Sequence, residues 1–177
     1  LKSNAFVRNY KVNQTTKFWI NDINWQSNPF ISLNGLQNKF KGLFKVVNYE
    51  AESAERYKTE GLNSEFSGVI SYDAKFPLSK RNEAKDEINL LTPRVSLRYA
   101  PGHMRNLQDD NLKLAYSNVY ALNKNSQLDV IEKGESIALG FEISNNDLEN
   151  GSPGEKNYSL SLAQIHSSKE ISNIPSR

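Results

Sequence analysis

Cysteine is absent from the 177 residues, which removes any disulfide framework or thiolate metal site and leaves the redox compartment unmarked. Histidine occurs only at His103 and His166, with no carboxylate or second histidine at ligand spacing, so neither a metal nor another cofactor is expected. No G-x-S-x-G, P-loop or glycine-rich strand-to-helix turn is found. The adjacent acids Asp109 and Asp110 fall in a polar stretch where solvation is their ordinary state. An enzyme is therefore not expected. No run approaches the ~18–20 consecutive apolar residues of a spanning helix. The net charge is only +2 and no dense basic cluster occurs, so no nucleic-acid partner is expected. A secretory leader is missing too: the chain opens LKSNAFVRNYKV, already alternating, which reads as an internal piece of a longer exported protein.

What is present is alternation. Hydrophobic residues make up 37% and charged residues 24%, with mean hydropathy −0.65. That is too polar for a bundle of membrane helices, but a barrel strand hides its apolar residues at every second position. The clearest stretch is Asn89 to Pro101. Asn89, Leu91, Pro93, Val95, Leu97, Tyr99 and Pro101 share one face, while Leu90, Thr92, Arg94, Ser96, Arg98 and Ala100 share the other. Such a strand is roughly 35–40 Å long, well beyond the usual five or six residues of a soluble sheet. It fits a transmembrane barrel wall, and equally a long strand of a soluble sandwich.

The same pattern recurs along the chain. Strands are expected over Asn4–Val12, Lys17–Trp25, Leu36–Tyr49, Leu62–Phe76, Ser136–Ser144 and Lys156–His166. Trp19 and Trp25 suit an interfacial aromatic girdle or ordinary core positions. Ser27-Asn28-Pro29 breaks the pattern, and Asn34-Gly35 is a turn dipeptide. Glu50 to Glu60 reads as an exposed charged loop, Pro77 to Glu87 as a charged connection, and Asn145 to Glu155 as a turn. Leu112 to Leu122 is a short strand or a helix, and periodicity does not decide between them. The tail, Ser167 to Arg177, is polar and expected to fray. The whole is an all-β antiparallel meander of about seven or eight long strands, with no strand–helix alternation.

At LTPRVSLRYAPGHMRN the chain resembles the barrel domain of the LPS-assembly outer-membrane proteins, the LptD or organic solvent tolerance family. Leu91-Thr92-Pro93-Arg94 leading to Tyr99-Ala100-Pro101 is similar to that family's "LTPR…Y-x-P" strand. Asp109-Asp110, Tyr116 to Tyr120 and Asn123 stand where the family has an aspartate and an "LF..NRF" loop. Asp129-Val130-Ile131-Glu132 resembles "DRI.D", with Val130 in place of arginine. Gly154-Glu155-Lys156 and Ser159 to Ile165, including Gln164, resemble "GEERF..S.GQIYY", with Ala163 for glycine and His166 for an aromatic.

The resemblance implies a partial barrel domain over residues 1–166, with its motif-bearing part at 91–166, in the Gram-negative outer membrane. The implied role is inserting lipopolysaccharide into the outer leaflet. Its partners would be lipopolysaccharide, a plug lipoprotein, periplasmic LPS-bridge proteins and outer-membrane lipids. The motif residues Leu91, Thr92, Pro93, Tyr99, Pro101, Asp129 and Gln164 would then be structural, with no catalytic residue. Lys39, Lys41, Lys45, Arg94 and Arg98 share the wet face, where they would line a water-facing path for a phosphorylated saccharide or balance Glu65, Asp73 and Glu142 on neighbouring strands. The competing readings are a porin or receptor barrel for solutes and a soluble secreted β-sandwich binding module.

Overall fold

The computed structural model describes residues 1–11, 14–54, 57–58, 61–84, 86–102, 104–105, 114–125, 127–149 and 152–168, apart from the side chains of Tyr10 and Lys11. It is all-β, and no helix occurs among the described residues. The strands are β1 Lys2–Lys11, β2 Gln14–Gln26, β3 Phe30–Ile31, β4 Gln37–Glu52, β5 Leu62–Lys75, β6 Leu78–Asn82, β7 Glu87–Ala100, β8 Gly134–Glu149 and β9 Ser152–Ser167. They form one antiparallel sheet in the order β1-β2-β4-β5-β7-β8-β9. Sequential neighbours pair throughout, as short connections favour. Among the described residues the sheet is open, with β1 and β9 at its edges.

The two short strands continue longer ones across proline breaks. β3 pairs with the same strand as β2, after Ser27-Asn28-Pro29, and β6 extends the line of β5 after Phe76-Pro77. Proline has no N–H to give a ladder. Pro29 and Pro77 interrupt strands, and Pro93 within β7 lies opposite the Phe76-Pro77 break. The Phe76 amide still donates to the Pro93 carbonyl at 3.0 Å, which holds the line of β5 and β6 against β7.

Four local expectations need correction. Residues 145–149 are not a turn but the end of β8, and β9 begins at Ser152. Asn145 stays in the ladder because its amide donates to Asn89 Oδ1 at 3.0 Å and its own oxygen accepts from Asn157 at 2.8 Å. Glu50 to Glu60 is not wholly exposed: Ala51, Ala54 and Tyr57 are buried against Phe18, Ile20 and Tyr49. The described part of Leu112–Leu122 is neither strand nor helix but a set of turns, with Asn118 and Val119 donating to the Ala115 carbonyl. The connection from Pro77 to Glu87 contains β6. His103, Asp109, Asp110 and residues 169–177 lie outside the described residues.

Period-2 alternation gives the sheet two unlike faces. One carries Phe18, Val47, Val69, Ala100 and Ala138 and is packed over by Ala54 and Tyr57 and by the described part of the connection from β7 to β8. On the other, Phe40, Phe44, Phe66, Ile70, Leu97 and Leu139 all stay exposed, Phe66 at 67%. Nothing among the described residues covers them.

The apolar belt on this second face runs obliquely to the strands. On β2 it extends from Trp19 to Trp25. In the register of that Trp25, through Gly42, Ile70 and Tyr99, β8 presents Glu135. On β9 the belt has moved to Leu162, Leu160 and Tyr158, opposite Phe141, Ile143 and Asn145. Its position shifts by roughly two residues per strand. With ~3.3 Å per residue and ~4.8 Å between strands, that is an incline of roughly 54°.

Candidate functional site: a charged face closed by the β7–β8 connection

The covered face carries most of the cations singled out in the sequence, and a segment between β7 and β8 lies across them. Gly102 and Gly134, both at positive φ (103° and 109°), turn the chain away from β7 and into β8. Glycine suits both places because L side chains rarely adopt that backbone.

Four cations fasten the segment or the acids beneath it. Arg98 is buried, and its Nε donates to the Leu122 carbonyl at 2.6 Å while its other nitrogens donate to the carbonyls of Glu132 and Gly134. Lys45 Nζ donates to Asp22 Oδ1 and to the Leu128 carbonyl, both at 2.6 Å, and its side chain is 3% exposed. Lys41 Nζ reaches the Tyr120 carbonyl at 2.9 Å and Asp73 at 2.7 Å. Arg94 contacts the same Asp73 at 3.2 Å, and its guanidinium stands 3.9 Å over the Tyr120 ring. Lys39 is half-buried and opposes Asp73 in the register.

A second cluster centres on Asp129, whose side chain is 2% exposed. Arg8 approaches Oδ1 at 2.9 Å, Arg105 approaches Oδ2 at 3.0 Å, and the Tyr57 hydroxyl donates to Oδ2 at 2.8 Å. Arg105 also pairs with Glu65 at 2.5 Å and faces the rings of Tyr57 and Tyr49. Charges this buried persist only when paired and hydrogen-bonded. Within the segment, Asn123 ties two limbs together: its Nδ2 donates to the Val130 carbonyl, and its Oδ1 accepts from the Glu132 amide.

Tyr120 is the segment's aromatic anchor. Its hydroxyl sits over Gly140 of β8, so close that a Cβ there would lie 2.3 Å from it. That hydroxyl is buried without a hydrogen-bond partner. Burial pushes the phenol pKa up, Tyr116 and Asp73 add to the rise, and Arg94 opposes it.

The motif residues divide between the faces. Asp129 holds the ion cluster, and Thr92 lies half-buried on the covered side. Leu91, Pro93, Tyr99, Pro101 and Gln164 are on the exposed side. Sequence reasoning missed Arg8, Asp22, Tyr57 and Arg105, and met Tyr120 only as part of a block resembling the family. Each meets a partner far along the chain, such as Arg8 with Asp129, and no local pattern encodes that. No three metal-ligating side chains gather among the described residues. The arrangement can clamp a chain segment onto a sheet.

No protein-family model matches the chain, and no curated protein matches it in sequence.

Proposed function

We propose that the chain is part of the wall of an outer-membrane β-barrel that inserts lipopolysaccharide into the outer leaflet. The observation carrying the membrane reading is the oblique belt on the uncovered face. Strands in a barrel wall tilt by ~35–45° to the membrane normal, so a horizontal slab of hydrocarbon meets each successive strand at a shifted register. The roughly 54° incline is steeper than that range by about 10° or more and has the required form. Along β7 the apolar positions run from Leu91 to Pro101, about 33 Å. At that incline they span about 19 Å of height, somewhat short of the ~25 Å apolar band of such walls. The opposite face carries the buried ion pairs, as a lumen does. Open edges at β1 and β9 would be paired by further strands of the full barrel.

The lipopolysaccharide role rests on the LTPR-to-SLSLAQI resemblance, with Asp129 of one matching block at the centre of the buried ion cluster. The plug lipoprotein and the periplasmic bridge proteins follow from the same resemblance. Depletion in the source bacterium tests it. Newly made lipopolysaccharide should disappear from the cell surface while remaining extractable from the envelope. Normal surface display together with altered solute uptake would refute it in favour of a solute barrel.

A further inference from the structure

Beside the Asp129 cluster, a cavity of about 360 Å³ lies between the sheet and the chain that covers it. Val47 on β4 and Glu65 and Ser67 on β5 supply the sheet side. Arg105 and Asp129 come from the β7–β8 connection, and Lys58, which is exposed, from the connection between β4 and β5. Arg105 is only 6% exposed, and its guanidinium is held 4.6 Å from the Tyr57 ring centre and 5.0 Å from that of Tyr49. Both acids of the cavity already face cations. Glu65 accepts from the Tyr49 hydroxyl at one oxygen and from Arg105 at the other. Asp129 accepts from Tyr57 and Arg105 at Oδ2, and Arg8 stands 2.9 Å from Oδ1. The donors are not used up in the same way. Arg105 Nε is buried with no hydrogen-bond partner, although buried donors generally find one. Lys58 Nζ makes no ion pair, and Ser67 Oγ no hydrogen bond, among the described residues. Three cations, Arg8, Lys58 and Arg105, stand against two acids, Glu65 and Asp129, so one positive charge is left over.

We infer that this cavity binds the phosphate group of a phosphorylated organic molecule. An ionised phosphate oxygen only accepts hydrogen bonds, and it meets three spare donors here, two of them cationic, with which charge-assisted bonds are the strong kind. A neutral sugar fits less well, because its hydroxyls need acceptors and the two carboxylates are engaged. A metal ion would find no carboxylate free of a cation. The volume is many times the ~30 Å³ share of one water molecule, so there is room for the group that carries the phosphate. Met104 and Ile131 give that group an apolar wall. The site stands on these side chains alone and needs no part of the membrane reading.

Isothermal titration of the intact protein in non-ionic detergent at neutral pH provides the test, with inorganic phosphate, glucosyl phosphate and glycerol phosphate as probes. At least one of the two esters is expected to saturate near one per chain and to bind more tightly than inorganic phosphate. Preference for glucosyl phosphate would assign the phosphate to a saccharide, and preference for glycerol phosphate to a lipid headgroup. Lys58→Met removes a charged donor from an exposed position and should weaken binding about tenfold. Ser67→Ala removes a neutral donor and should weaken it about threefold. Lys80→Met, on β6 and outside the cavity, should leave the affinity as it is. No saturable binding of any probe, or an affinity that Lys58→Met and Ser67→Ala leave unchanged, would overturn the site. Inorganic phosphate bound as tightly as both esters would mean an adventitious ion only and overturn the organic ligand.

Discussion

Placing a methyl group at Gly140 tests how the β7–β8 segment is held. The new Cβ would lie 2.3 Å from Tyr120 Oη, 2.4 Å from the Leu162 carbonyl oxygen and 2.9 Å from Ala163 Cα. Non-bonded atoms settle near 3.5–4.0 Å, so the Tyr120 hydroxyl has to retreat by more than about 1 Å, and the β9 backbone has to give as well. Overpacking of this kind costs about 1–3 kcal/mol. Tyr120→Phe removes the first clash and not the other two. Because the hydroxyl has no partner, its loss should cost nothing and relieve up to about 1–3 kcal/mol of desolvation. Gly140→Ala should therefore be less damaging in the Tyr120→Phe background, with a coupling near 1 kcal/mol. Trypsin cleavage after Lys124, which is buried while the segment is seated, reads the opening directly. Where reclosing is faster than cleavage, 1.4 kcal/mol is tenfold in rate. Gly140→Ala alone should accelerate cut formation about five- to a hundredfold, and Tyr120→Phe alone should leave it unchanged or slow it. Equal cost of Gly140→Ala in both backgrounds would refute the anchoring of Tyr120 on that glycine.

Asp129→Asn leaves Arg8 and Arg105 facing a neutral amide in a buried place, and breaking a pair in this way costs about 3–5 kcal/mol. The expected results are a lower midpoint of thermal unfolding in detergent and faster cleavage at Lys124, and an unchanged midpoint would exclude the cluster as a clamp. Lys45→Met strands Asp22 and the Leu128 carbonyl at a similar cost, whereas Lys45→Met with Asp22→Leu should recover most of it; urea titration of both variants decides. On the opposite face, Phe44→Arg places a charge in the belt and should oppose insertion into phosphatidylcholine vesicles by about 2–4 kcal/mol. Insertion as efficient as that of the unmodified protein would mean that Phe44 does not meet hydrocarbon.

The strands were legible in the sequence because period-2 alternation is a local signal, and Phe40, Phe44, Leu97 and Leu139 could be assigned to one face from spacing alone. The oblique belt was not. It needs the register that sets Trp25 beside Gly42 and Tyr99 beside Glu135, and register between strands is a long-range property. Asn145 and Asn146 misled for a related reason. Asparagine favours turns when its amide bonds its own backbone, but here amides bonded across three strands keep the ladder running. The cations show the same limit. Spacing puts Lys41, Lys45, Arg94 and Arg98 on one side, while each also has a partner in a segment without periodicity. This changes what charge reversal at Lys41 and Lys45 can reveal. A defect in lipopolysaccharide display would reflect either a lost path for the head group or a released segment, since both lysines bond that segment. Trypsin cleavage at Lys124 separates the two: a path defect leaves the cut slow, and a released segment makes it fast.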